Sequence, residues 1–325
     1  MHPVNQFHTK ALTLREKIEN KQSGLVFYSL TPPKHNNTQE RINEIALKQM
    51  DRLKGADIDG LILYDIQDEQ ERTDMERSFQ FVPTLTPEFY CDNYLCKMAV
   101  PKIIYKSIAN QNDQSFIDWI NSTESIEYAV FVGASSQKQI EASGFSLSNA
   151  YDIRSRYRSS LTLGGVTIPE RHAKKGDEHL RLRSKIEKGC SFFVSQCVYS
   201  PGNTKDLLSD YYYSVVDNNR EFSPIIFTLA PCGSLKTLEF MEWLGIDVPK
   251  WLHNDLRHSR DILSNSVATC KNIASEIMEY AAVKGIPIGF NIESISIKKE
   301  EIEASNQLLR DIITLVGKQA AGSNK

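Results

Sequence analysis

The side chains able to do chemistry in this chain stand where short apolar runs end, and there a polar residue needs a reason beyond solvation. Gln196 closes the run SFFVSQ at 191–196. A buried amide must find hydrogen-bond partners, so Gln196 is either a strand-end residue bonded to a loop or a ligand contact. Glu293 follows GFNI at 289–292. A carboxyl in such surroundings has its pKa raised and can act as an acid, or it pairs within the protein; both readings stay open. His172 follows Pro169-Glu170-Arg171 in a segment that reads as a loop, where a histidine is either a solvated side chain or a proton and ligand contact. Ser29, Tyr64-Asp65 and Thr228 end other runs. The six cysteines, Cys91, Cys96, Cys190, Cys197, Cys232 and Cys270, contain no C-x-x-C pair and read as reduced thiols. Cys91 and Cys96 lack two further zinc ligands nearby, so no metal is expected.

The elements that must position these residues follow from the hydrophobic pattern. Eight apolar runs, at 24–29, 60–65, 100–105, 127–133, 161–167, 191–196, 223–229 and 286–294, alternate with stretches of helical period, the signature of parallel βα units. Between 38 and 54, Ile42, Ile45, Ala46 and Leu53 share a helical stripe; from 260 to 283, Leu263, Val267, Cys270, Ala274, Ile277 and Ala281 form another. Eight strands with eight helical returns in 325 residues predict a single-domain (β/α)8 barrel. Residues 1–23 form an N-terminal extension or helix, 24–318 the barrel, and 319–325 a flexible tail. The alternative is an open doubly wound sheet, against which no G-x-G-x-x-G follows the first run; Thr31-Pro32-Pro33 stands there instead. In a barrel, the site is built at the carboxyl ends of the strands, where the residues above fall.

Composition narrows the partners. Lysine plus arginine number 38 against 41 acids, a net charge of -3, which gives no electrostatic case for nucleic acid or an anionic membrane. No apolar run approaches the roughly 18 to 20 residues of a membrane span, and the N-terminus lacks a signal-peptide core, so a cytoplasmic location is expected.

The stretch GGVTIPERH at 164–172, the helix through Lys185, Gly189 and SFFVSQCVYS at 191–200 together resemble the central signature of the methylenetetrahydrofolate reductase family: a strand, Y-P-E-x-H, a lysine-bearing helix, a glycine and a strand ending in T-Q before aromatics. FYSLTPP at 27–33, Glu71-Arg72-Thr73, Val132-Gly133, Asn149-Ala150-Tyr151-Asp152 and IDVPKWL at 246–252 are similar to other family segments. The resemblance implies a (β/α)8 barrel that reduces a methylene folate to a methyl folate, with FAD at the strand ends and NAD(P)H as hydride donor. It implies that Gln196 contacts the pterin and that Thr73, His172, Glu178 and Lys185 line FAD, Lys185 facing its phosphates. Gly133 and Ala150 would let the backbone approach the flavin. Tyr199 and Thr237, beyond strand ends, are weaker candidates for the folate pocket.

The chain departs from the family pattern where the chemistry is done. The first-strand glutamate that opens the folate's methylene bridge falls on Ser29, and the aspartate beside the flavin falls on Ala134. A hydroxyl does not replace a tuned carboxylic acid, so Glu293, Glu170 and Asp65 are the candidate substitutes, with Glu293 and Ser29 the catalytic pair expected. Three readings follow: a divergent folate-linked oxidoreductase, a folate-dependent methyl or one-carbon transferase, and a noncatalytic folate- or flavin-binding subunit. The partner in each is a folate-type small molecule, with a homo-oligomer or a one-carbon enzyme complex as the assembly.

Overall fold

The computed structural model describes residues 11–68, 77, 79–133 and 143–322. Eight parallel strands close into a barrel in sequence order: β1 (Leu25–Leu30), β2 (Gly60–Leu63), β3 (Lys102–Ser107), β4 (Tyr128–Val132), β5 (Thr162–Thr167), β6 (Cys190–Cys197), β7 (Ile225–Leu229) and β8 (Ile288–Ile292). β8 closes on β1 with Phe27 level with Asn291 and Tyr28 level with Ile292. The (β/α)8 expectation therefore holds. The strands are legible as apolar runs because each is covered on one side by helices and on the other by the barrel's own filling.

The helices between them are α1 (Leu14–Glu19), α2 (Gln39–Leu53), α3 (Pro87–Tyr94), α4 (Asp113–Ser122), α5 (Leu147–Tyr157), α6 (Pro169–Lys175), α7 (Glu178–Glu187), α8 (Pro201–Val216), α9 (Leu235–Trp243), α10 (Lys250–His258), α11 (Ile262–Lys284) and α12 (Lys299–Gly322). Their starts obey capping chemistry: Thr38, Ser146 and Ser234 each accept a backbone N–H three residues on. Two local expectations change. The segment carrying His172 is the helix α6, since Pro169 occupies its first position and Gly176, at φ 66°, ends it in the left-handed region. At the other end, α12 continues to Gly322, past residue 318 where a tail was expected. Among the described residues, no helix is long and apolar enough to cross a membrane.

Two apolar cores result. One lies between strands and helices. The other fills the barrel with Leu25, Phe27, Ile62, Ile103, Tyr105, Tyr128, Val130, Phe192, Val194 and Ile226, and α1 plugs its amino end by inserting Leu14 and Ile18. The Lys17 ammonium pairs with Asp59 at 2.5 Å, and Asp59 also accepts the Val26 N–H, which fixes the plug to β1. Only glycine fits at two inward positions: a Cβ on Gly164 would lie 2.5 Å from the Phe192 ring, and one on Gly289 2.3 Å from the Leu25 carbonyl oxygen. The second obstacle is backbone and cannot rotate away. Gly289→Ala is therefore expected to destabilise the protein by about 3 kcal/mol, the upper part of the usual overpacking range; an unchanged midpoint in urea unfolding would contradict this packing.

Candidate functional site

Because side chains alternate along a strand, the residues that fill the barrel lead upward to Ser29 on β1, Thr228 on β7, Asn291 on β8, and Tyr64 and Glu293 just beyond β2 and β8. These five form one run of hydrogen bonds. The Tyr64 hydroxyl donates to Glu293 Oε2 at 2.5 Å and lies 3.1 Å from Ser29 Oγ, which donates to Asn291 Oδ1 at 2.8 Å. Asn291 Nδ2 donates to Thr228 Oγ1 at 3.2 Å, and Thr228 Oγ1 donates to the Ser195 carbonyl at 2.7 Å. An irregularity in the β6–β7 register between Val194 and Cys197 turns Ser195 toward β7, so that its hydroxyl also accepts the Thr228 N–H at 2.9 Å. The network thus joins β1, β2, β6, β7 and β8 at the barrel mouth.

Burial sets the protonation of this layer. It pushes Glu293 up to about 7, with the Tyr64 hydrogen bond opposing. Burial, and then the Glu293 carboxylate, also hold the Tyr64 phenol well above its usual range. A second carboxyl behaves alike: Glu170, in the first turn of α6, is 3% exposed, and neither oxygen has a hydrogen-bond partner. Burial pushes it up to about 7 as well. Two carboxyls at the carboxyl-end side of one barrel can therefore hold or release a proton near neutrality, the property required of a general acid.

Of the residues expected at the site, the structure joins Glu293 and Ser29 through the Tyr64 hydroxyl. Gln196, half-buried, donates from Nε2 to the Leu244 carbonyl at 3.0 Å, so it faces the α9 end that overhangs the mouth. Asp65 has structural partners, accepting the Ser107 N–H at 2.9 Å and the Gln67 amide at 2.6 Å. The others lie apart. Tyr199 is fully buried between β6 and α11, donating to the Ala230 carbonyl and lying 3.4 Å from Ser266 Oγ. Thr237 is buried on α9 and donates to Glu301 of α12 at 3.0 Å.

The group expected around FAD serves the helical layer. Glu178 accepts from Thr167 Oγ1 and the Ile168 N–H at 3.2 and 3.1 Å, and from the Arg171 guanidinium at 2.5 and 2.8 Å, which pins the β5–α6 turn. Lys185 donates to the Val166 carbonyl, and burial holds its pKa below the usual lysine range. His172 meets His179 and Asp210 of the neighbouring helices. Ala150 is fully buried in α5. A Cβ on Gly133 would meet only Leu147 at an ordinary 3.5 Å, so no crowding demands glycine there. Thr73 and Ala134 lie outside the described residues. Of the described residues of this set, Glu178 and Lys185 have their polar atoms engaged within the protein, so neither is free to reach a flavin phosphate.

An aromatic cluster gathers around α9 and Arg77. The Arg77 guanidinium sits 4.7 Å from the Trp243 ring centre, 5.2 Å from that of Phe81 and 5.6 Å from that of Phe240. Phe240 and Trp243 stack at 5.7 Å and 10°. This aromatic wall ends at Leu244, the residue that takes the Gln196 amide. The F-x-x-W spacing at 240 and 243 places both rings on one helix face and could have signalled it; the arginine arrives from a distant loop without a local signal.

Fold and site together define a (β/α)8 barrel whose apolar filling ends in a polar, carboxyl-bearing mouth beside an aromatic wall. An uncharacterized protein from Clostridium thermocellum that binds two copies of 5-methyl-5,6,7,8-tetrahydrofolic acid is 48% identical, with 93% of this chain and 99% of that one covered and a TM-score of 0.82. The chain belongs to the same family as that protein. No family model matches the chain, and no curated protein matches it. A GH113 β-1,4-mannanase (13% identity, TM-score 0.49, 90% of this chain and 99% of that one) and a 2,3-dimethylmalate lyase (15%, 0.43, 96% and 99%) are also similar. At that level neither carries an argument about this chain.

The raised carboxyls have a measurable consequence. A carboxyl whose folded pKa lies near 7 and whose unfolded pKa is about 4.3 binds more protons folded than unfolded between those values. Stability must then fall as pH rises through that window. Urea midpoints followed from pH 4.5 to 7.5 are expected to decline in the wild type and to decline less in Glu293→Gln and Glu170→Gln; equal slopes in all three proteins would show that neither carboxyl is held protonated.

Proposed function

We propose that this chain binds a reduced folate of the 5-methyltetrahydrofolate kind at the mouth of its barrel and acts in folate one-carbon chemistry. The observation that carries the reading is the 48% identity, over nearly the whole length of both chains, to a protein that binds 5-methyl-5,6,7,8-tetrahydrofolic acid. The mouth supports it chemically. A pterin presents a lactam edge with a donor and an acceptor side by side, which suits an amide such as Gln196. The half-buried Phe240, stacked on the buried Trp243, offers an aromatic edge for the p-aminobenzoyl ring. The inward Ser29 and Asn291 hold the Tyr64 hydroxyl, and through it Glu293, in place.

Methyl transfer from such a folate breaks the bond between the methyl carbon and N5. A nucleophile from a second substrate takes the methyl, and N5 leaves as an amine once it gains a proton. Glu293, protonated near neutrality, is suited to give N5 that proton, and Tyr64 holds its carboxyl in position. The reductase chemistry implied by the sequence resemblance needs a hydride donor. Of the residues that the resemblance sets around FAD, Glu178 and Lys185 are engaged within the fold, and no step here passes through flavin.

Isothermal titration of the full chain with 5-methyltetrahydrofolate should show saturable binding with micromolar affinity. Gln196→Ala should weaken it by tenfold or more, about 1.4 kcal/mol. Glu293→Gln should retain binding within a few-fold while removing any transfer of the methyl group to a thiol acceptor. Absence of binding by both 5-methyl- and unsubstituted tetrahydrofolate at millimolar concentration would end this reading.

A further inference from the structure

We propose that His172, His179 and Asp210 bind one divalent transition-metal ion of the zinc type in the helical layer outside the barrel. The three residues come from successive helices, α6, α7 and α8, and one ligand atom from each lies within 4.8 Å of the other two. His172 Nε2 is 3.1 Å from Asp210 Oδ2, and His179 Nδ1 is 3.9 Å from the same oxygen. The two imidazoles meet edge to face, with ring centres 5.4 Å apart and planes at 83°. Tetrahedral zinc with bonds of about 2.0–2.1 Å puts neighbouring ligand atoms roughly 3.4 Å apart. Closing this triangle on an ion therefore takes shifts on the order of 1 Å, and Asp210, 54% exposed on α8, can supply them by side-chain rotation.

The pairing present without an ion leaves the site unsatisfied. His179 Nδ1 is buried and has no hydrogen-bond partner, as has the Nδ1 of His172, a residue only 5% exposed. A buried nitrogen without a partner is destabilising, and an ion between the three residues would give the lone pair of His179 Nδ1 an acceptor. Two neutral imidazoles and one carboxylate suit zinc, cobalt or nickel rather than magnesium or calcium, which prefer all-oxygen sites. Three protein ligands leave a fourth position open on the solvent side, where Asp210 stands.

The position gives the ion work to do. His172 sits two residues from Glu170 on the short helix α6, whose seven residues make too little helix to hold themselves. A bond from His172 to Asp210 through the ion ties α6 to the long helix α8. This site is independent of the folate reading, since none of its three side chains reaches the mouth.

The test is metal binding to the full chain after chelator treatment. Zinc titrated against a chromophoric chelator should give one ion per chain, and cobalt should give the visible absorption bands of a four-coordinate site. Thermal unfolding should move upward with either ion. Asp210→Asn, a conservative change at an exposed position, and His179→Ala should each weaken zinc binding by tenfold or more and remove the cobalt bands, while 5-methyltetrahydrofolate affinity stays unchanged. Zinc affinity equal in the wild type and both variants, or no ion held at stoichiometric concentration, overturns the proposal.

Discussion

The hydrogen bond from Tyr64 to Glu293 is the interaction on which the mouth of this barrel depends. A carboxyl placed above a filling of Phe27, Ile62, Phe192, Val194 and Ile226 loses most of its hydration, and the charged form loses more than the neutral one. Tyr64 offsets part of that loss by donating to Oε2, and its hydroxyl is itself placed by Ser29 and Asn291. Removal of any member leaves a buried polar group without a partner, so the five residues act as a unit rather than as five contacts. The outcome is a carboxyl held where it changes protonation near neutral pH, supported by β1, β2, β7 and β8.

The floor of the barrel serves the same end. α1 inserts Leu14 and Ile18 beneath the inward core, and the Lys17–Asp59 pair holds it there. With Leu14 and Ile18 buried beneath it, the inward core forms a continuous apolar column under Glu293. The glycines at 164 and 289 belong to this arrangement, because the space a Cβ would need is already taken by the Phe192 ring and the Leu25 carbonyl. The shape of the filling and the electrostatics of the mouth are one problem with one solution.

All eight strands could be read from the sequence, since parallel strands buried on both faces appear as continuous apolar runs of the right length. Strand-end position points to Ser29, Gln196 and Glu293, of which Ser29 and Glu293 share the Tyr64 hydroxyl. Their wiring was invisible, because a run from Glu293 through Tyr64 to Ser29 crosses chain separations of 229 and 35 residues and depends on register. The segment 164–200 misled for a physical reason. His172, Glu178 and Lys185 have the types and spacing of ligand-holding residues, but a glutamate that caps a turn and a lysine that satisfies a strand carbonyl look the same in sequence as residues reaching for a phosphate. Burial and partners separate the two roles, and spacing does not encode them. His172 was expected in a loop because Pro169 reads as a breaker, although proline at a helix's first position starts it.

The serine found where the resembling family carries its first-strand acid is best understood through the register of the closing strands. Phe27 is level with Asn291, and Tyr28 with Ile292, so the next inward position on β1, Ser29, stands beside Glu293 across the β1–β8 seam. A carboxyl on β8 therefore occupies nearly the same part of the mouth as one on β1 would. Two carboxyls side by side there would repel each other and raise one another's pKa further. A hydroxyl at 29 instead donates to Asn291 and helps hold Tyr64. The carboxyl of this mouth thus stands at the end of β8, and the hydroxyl at 29 helps to support it.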